Sequence, residues 1–165
     1  MKKTLSISHT DLDGYGSQYI VKKALHQHDI TFKNLDYPET EEFFRSTDFS
    51  KYNLVVITDL NLSKVILDII NECINRDRVE FIVIDHHECI GVESLPWYNL
   101  DKSCSAALGT YNYFYRDEYG NIDKGSEKLQ AFAQLVSIYD IWLATDPLFN
   151  TATFLSDVVF SMPLV

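Results

Sequence analysis

Histidines and aspartates recur in this chain in a pattern that suits metal-assisted hydrolysis. His9, Asp11 and Asp13 sit in HTDLDG (9–14), Asp59 closes the run NLVVIT, and Asp85, His86 and His87 follow FIVI (81–84). Each cluster ends a β-type run, so four aspartates and three of the five histidines fall at one edge of a sheet. An aspartate after a strand commonly serves as a turn or helix cap, and any one cluster alone reads that way. Together they do not, because carboxylates crowded at one edge cannot all stay ionised without cations between them. Asp140 adds a further acid. Leu129, Ala133, Val136, Asp140 and Leu143 share one helical face, where an ionised carboxylate must be paired or bound. The nearest basic residue in that helix, Lys128, is three turns away.

Imidazole with mostly carboxylate donors suits Mn²⁺, with Mg²⁺, Co²⁺ or Fe²⁺ as substitutes, rather than a thiolate zinc site. Cys89 in HHEC has no second Cys-x-x-Cys pair to support it and reads as a packing residue. The number of acids implies two ions about 3.5–4 Å apart, sharing a carboxylate and a water. Two such ions would offset part of the formal charge of −10.

The elements that must position these residues alternate in type. TLSIS (4–8), ITFKNLDY (30–37), NLVVIT (53–58) and FIVI (81–84) read as strands. Helical spacing is expected over about 14–28, in a short segment at 39–45, and from Leu62 to Ile74 with Ser63 as its cap. Two more helices are expected over about 105–119 and 126–144, and a third after Pro147. Continuously apolar strands separated by amphipathic helices indicate an α/β fold: a doubly wound, mainly parallel sheet with helices on both faces. In such sheets ligands sit in the crevice at the carboxyl ends of the strands, where the clusters fall.

The chain has 165 residues, enough for one compact domain that buries about 70% of its unfolded surface. No apolar run approaches the roughly 18 residues of a membrane span, and MKKTLSISHTDLDG does not read as a signal peptide. Three irregularly spaced cysteines fit a reducing compartment, so the expected location is cytoplasmic. With 24 acidic against 14 basic residues, the surface repels long phosphodiester backbones but leaves room for nucleotides or very short oligonucleotides in one local site.

As a set, HTDLDG, Asp59 after its strand, IDHH (84–87) and Asp140 in SIYDIW resemble the four motifs of the DHH phosphoesterase superfamily in order, spacing and strand context. YDIW followed by Asp146-Pro147 is most similar to the small bacterial nano-RNases and oligoribonucleases. The type II pyrophosphatases are the nearest alternative. Their first motif reads Pro-Asp-x-Asp-Ser, where this chain has Thr10 and Gly14. The resemblance implies that His9 and Asp11 hold one Mn²⁺, that Asp13, His86 and Asp140 hold the other, and that Asp59 bridges them. It implies that Asp85 steadies the loop and the imidazoles, as ligating histidines require, and that His87 contacts the scissile phosphate or leaving oxygen. It also implies hydrolysis by a hydroxide activated between two metals. Residues 1–145 are then the catalytic domain. Residues 146–165 begin a connector to a C-terminal substrate-binding domain, to whose glycine- and histidine-containing loop nothing here is similar.

Two further features complete the reading. In Ser103-Cys104-Ser105 one serine is expected to cap the following helix, and either could also contact a substrate phosphate at that helix N-terminus. Tyr111, Tyr113, Phe114, Tyr115 and Tyr119 read as core or interface packing rather than as a base-stacking platform. The expected function is a Mn²⁺-dependent phosphoesterase acting on short oligoribonucleotides or nucleotide phosphates to give 5′-mononucleotides. The expected partners are that substrate, no long nucleic acid and no membrane, with a homodimer left open. A pyrophosphatase and a non-catalytic metal-binding scaffold are the alternatives.

Overall fold

The computed structural model describes residues 1–161 apart from Ile90, Glu118 and Lys124. Strands β1 (Lys3–Ser8), β2 (Asp29–Asn34), β3 (Leu54–Thr58), β4 (Glu80–Asp85) and β5 (Tyr98–Leu100) form one sheet in the order β2-β1-β3-β4-β5. Every pairing between neighbours in it is parallel. Helices α1 (Leu12–Ala24), α2 (Tyr37–Ser46), α3 (Lys64–Asp77), α4 (Ala106–Tyr115), α5 (Glu127–Asp140) and α6 (Phe149–Ser161) surround it. No helix among the described residues is long and apolar enough to cross a membrane.

The β-branched runs are continuously apolar because both faces of the sheet are covered. Leu5, Ile7, Val55, Ile57, Phe81 and Val83 pack on one side with Phe44 of α2 and Ile66 and Ile70 of α3. Leu54, Val56, Ile82 and Ile84 point the other way, with Val21 of α1. A second layer of α1, α4 and α5 closes over Leu12, Ile20, Ala107, Tyr111, Ala133 and Val136. Leu155 and Val159 of α6 pack against that layer. Helix α5 therefore reaches the site through helix packing rather than by lying on the sheet.

The chain leaves β1 for β2 on one side and returns to β3 on the other, so the strand order switches at β1 and β3. That is where ligands collect in doubly wound sheets. The carboxyl ends of these two strands are tied together. Ser8 Oγ donates to the Thr58 backbone oxygen at 2.9 Å and lies 2.8 Å from Thr58 Oγ1. The register pairs Ser8 with Thr58 and Thr58 with Ile84.

Local boundaries differ from the periodicity in instructive places. Strand β2 stops at Asn34, because Asp36 is the N-cap of α2 and Pro38 lies in its first turn. Helix α4 ends at Tyr115, where the Asp117 carboxylate gathers the Tyr119 and Asn121 amides into a turn. Helix α5 ends at Asp140. Trp142 follows in the left-handed region at φ 56°, and Leu143 is exposed rather than on the buried stripe. Ser63 caps α3 as expected, accepting from the Ile66 amide.

Candidate metal centre

The loop after β1 is shaped by Gly14. A Cβ there would lie 2.2 Å from the backbone oxygen of His9, so only glycine lets α1 start this close behind the loop. Asp11 is the N-cap of α1, accepting from Gly14 N at 2.9 Å, and its other oxygen lies 2.7 Å from His9 Nδ1. Asp13, in the first turn of α1, is buried and accepts from the backbone amides of Ala106 and Ala107 at 2.7 Å each. It anchors the first turn of α4, where the helix dipole favours a negative charge.

Asp59 follows β3 in the left-handed region, at φ 53°, with its amide donating to the Ile84 backbone oxygen. Asp85 is the last residue of β4; one oxygen lies 2.7 Å from His87 Nδ1 and the other accepts from Tyr98 OH at 3.0 Å. His86 Nε2 points at three carboxylates: Asp13 at 3.7 Å, Asp59 at 3.5 Å and Asp140 at 3.4 Å. The structure thus gathers all eight histidines and aspartates singled out in the sequence. Their donor atoms form three overlapping groups, namely His9, Asp11 and Asp59; Asp13, His86 and Asp140; and Asp59, Asp85, His86 and His87. Asp59 belongs to two of the three.

The electrostatics show what the cluster lacks. Burial, then the charges of Asp13 and Asp11, push Asp59 far above the ordinary carboxylate range. Burial and the nearby Asp140 raise Asp13 to about 7 against the pull of the α4 amides. Burial raises Asp140 too, although His86 and His87 oppose it. Asp11 and Asp85 stay below the ordinary range: burial works against their charge, but hydrogen bonds from Gly14 and from His87 outweigh it. The Asp85 hydrogen bond in turn raises His87. Asp59 Oδ2 and Asp140 Oδ2 are buried without any hydrogen-bond partner. Nitrogen and oxygen donors with orphaned lone pairs fit divalent cations such as Mn²⁺ or Mg²⁺. No thiol joins them: Cys89 Sγ faces the Leu62 backbone oxygen at 3.7 Å.

Ser105 is wholly buried as the cap of α4, and its amide donates to Ser137 Oγ at 3.0 Å. The next two amides are taken by Asp13, so the α4 N-terminus holds a protein carboxylate. Ser103 is exposed and bonded to Asp101. In the aromatic helix, Tyr111 is buried with its hydroxyl 2.8 Å from Ser126 Oγ, Tyr115 stacks on it, and Tyr113 is exposed.

Sequence reasoning missed Tyr98, Asp36 and Tyr37. The last two lie at the end of β2, and Tyr37 packs against His9 at a ring-centroid distance of 5.1 Å. Applying the strand-end rule to LDYPE, as it was applied to the other three strands, finds them. Tyr98 carries no such signal, since β5 is only three residues long.

Residues 3–138 match the DHH family, N-terminal domain. The chain belongs to the DHH family. Asp140 lies two residues beyond the matched segment, and the packing of α5 brings it in. A relative from Helicobacter pylori (strain ATCC 700392 / 26695), named a 3′,5′-cyclic-nucleotide phosphodiesterase, is 27% identical over 157 residues, covering 86% of this chain and 44% of the relative. An uncharacterized protein from Helicobacter pylori G27 shares the fold at a TM-score of 0.71 and 21% identity, covering 96% of this chain and 49% of that one. RecJ from Thermus thermophilus, solved in complex with Mn²⁺, superposes at 0.56 and 17% identity, over 92% of this chain and 23% of RecJ. This DHH-family chain spans less than half the length of each of these relatives.

Proposed function

We propose that this chain carries the catalytic half of a divalent-cation-dependent phosphodiesterase. It acts on short oligoribonucleotides and nucleotide phosphates, with Mn²⁺ as the native ion, and releases 5′-mononucleotides. The observation that carries this reading is the convergence of six donors, His9, Asp11, Asp13, Asp59, His86 and Asp140, with two buried carboxylate oxygens left without partners. His9 and Asp11 would hold one cation, Asp13, His86 and Asp140 the other, and Asp59 would be shared between the two. Cations there supply water activation near neutral pH and neutralise charge on the phosphoryl oxygens.

The remaining work falls to protein groups already in place. Asp85 and Tyr98 lock His87 through Nδ1, so its Nε2 is the free end, directed to donate to a phosphoryl or leaving oxygen. Asp85 favours the protonated ring, which a donor needs. Asp13 is pinned by two amides, so its carboxylate does not have to be ordered at each turnover. The formal charge of −10 selects against long polyanions and for substrates small enough to enter the local site. A reducing cytoplasm suits the three free, buried cysteines.

The name of the H. pylori relative supports a phosphodiester over a phosphoanhydride. A 3′,5′-cyclic nucleotide and a 5′-phosphorylated dinucleotide yield 5′-mononucleotides by the same event, cleavage between phosphorus and O3′. The test offers the protein with Mn²⁺ a 5′-phosphorylated diribonucleotide, a 3′,5′-cyclic nucleotide and pyrophosphate, with products separated by chromatography. Release of 5′-mononucleotide supports the proposal. Orthophosphate from pyrophosphate alone makes the protein a pyrophosphatase, and bound Mn²⁺ without turnover of any of them makes it a scaffold.

A further inference from the structure

The segment leaving β2 grips the first site loop at several points. Asn34 donates from Nδ2 to the His9 backbone oxygen at 2.8 Å, and the Leu35 amide donates to the Ser8 oxygen at 2.9 Å. Thr10 Oγ1 donates to Asp36 Oδ1, and that same oxygen lies 3.7 Å from His9 Nε2. The Tyr37 ring packs on the imidazole with centroids 5.1 Å apart and planes tilted by 42°. Its hydroxyl end comes near the Asn61 backbone and Asp59.

The orientation of Asp36 is telling. It occupies the N-cap of α2, from which an aspartate ordinarily accepts an amide of the first turn. It makes no such bond, and Pro38 has removed one of the donors. Its carboxylate is turned to Thr10 and His9 instead. His9 consequently has a carboxylate on each side: Asp11 at Nδ1 and Asp36 at Nε2.

We propose that Asp36 and Tyr37 are positioning residues for His9, the carboxylate fixing the His9 loop through its hydrogen bond from Thr10 and standing beside Nε2, and the phenol covering one face of the ring. Ligating histidines need surrounding groups that fix the orientation of the ring. The inference rests on the reading of His9, Asp11 and Asp59 as a cation site, and it adds a segment outside that donor set.

The test is Mn²⁺ binding to the chain, followed by electron paramagnetic resonance of the free ion, in Asp36→Ala, Asp36→Asn and Tyr37→Leu, with Asp140→Asn as a comparison. Thermal melts after chelation accompany each titration. The expected result is a loss of about 10–100-fold in affinity for one of two ions, with the other ion and the metal-free melting temperature unchanged. Asp140→Asn instead weakens the other ion. Wild-type affinity for both ions in all three variants overturns the inference. So does loss of both ions together with a fall in the metal-free melting temperature, since that marks a purely structural role. A wild-type chain that binds no Mn²⁺ overturns the cation-site reading itself and the inference with it.

Discussion

Replacing Asp59 by asparagine should stabilise the metal-free chain while removing most of its stabilisation by Mn²⁺. Asp59 is 2% exposed, and its Oδ2 has no hydrogen-bond partner. Burial and the charges of Asp13 and Asp11 keep it protonated in the folded, metal-free chain at neutral pH. The unfolded chain ionises the same group near pH 3.9, so holding the proton at pH 7.5 costs at most about 5 kcal/mol, at 1.36 kcal/mol per pH unit. Structural relaxation and water entry reduce such limits severalfold, leaving about 1–3 kcal/mol. Asparagine has a similar shape and no proton to retain, so the metal-free variant should melt about 3–10 °C above wild type. Mn²⁺ at a hundred times its dissociation constant contributes about 2.7 kcal/mol per site, so two sites raise the wild type by about 10–20 °C. The variant lacks the carboxylate placed between both sets and should keep less than about a third of that rise. The two proteins therefore exchange rank between chelator and Mn²⁺ in thermal melts at pH 7.5. A variant that melts below wild type in chelator, or that keeps the full Mn²⁺ shift, refutes the argument that these acids are strained for want of cations.

Three other outcomes follow from the same geometry. The metal-free chain should lose stability as pH rises from about 5 to 8. Asp13, raised to about 7, binds a proton in the folded state that the unfolded state has already released. His87, raised by Asp85, gives the same sign, and melts that rise with pH over this window would contradict it. Gly14→Ala should destabilise by about 2 kcal/mol or more and weaken Mn²⁺ binding, because the new Cβ meets the His9 backbone oxygen at 2.2 Å. Intrinsic helix propensity alone would make the change favourable by about 1 kcal/mol, so the sign of the measured difference decides. Tyr98→Phe should cost about 1–3 kcal/mol by leaving a buried Asp85 oxygen unpaired, and should lower kcat more than KM through the loosened His87; unchanged kcat would dissociate His87 from the chemistry.

The parts of this molecule legible in the sequence are those with a period. Dense β-branched runs gave β1, β3 and β4, since a strand covered on both faces must be apolar throughout. An acid at the end of each run then located Asp11, Asp59 and Asp85 without reference to distant residues. Asp140 was legible because it interrupts an apolar helical face. The same periodicity carried the helix too far, to Leu143. Its actual end is set by backbone geometry: the Ile141 and Leu143 amides bond to Ser137 and Ile138, and Trp142 turns left-handed. β5 has three residues, too few for any period, so Tyr98 and its hydrogen bond to Asp85 had no local signature. The pairing of Asp13 with the α4 amides joins residues more than ninety positions apart, and only the packed fold reveals that this helix N-terminus is already filled.

That last pairing explains how a site so poor in internal compensation can sit in a stable fold. The sheet core closes over Leu5, Ile7, Val55, Ile57, Phe81 and Val83 without using any site residue. The strands thus hold His9, Asp59 and Asp85 at adjacent carboxyl ends whatever the charge state beyond them. Asp13 and Asp140 are different, because both depend on the outer helical layer. Asp13 ties α1 to α4, while α5 is held over them by Ala133 and Val136 packing beside Leu12, Ala107 and Tyr111. Gly16 lets that layer close, since a Cβ there would meet Val136 at 3.3 Å and Ala107 at 3.5 Å. The sheet-borne donors are consequently preformed, and the helix-borne donors are only as well placed as the α1–α4–α5 packing. Trimming Val136 to alanine leaves the acids and the sheet intact but loosens the element that presents Asp140. Binding at the set of Asp13, His86 and Asp140 should weaken while the set of His9 and Asp11 holds, and equal weakening of both in a Mn²⁺ titration would show that the two sets are not supported independently.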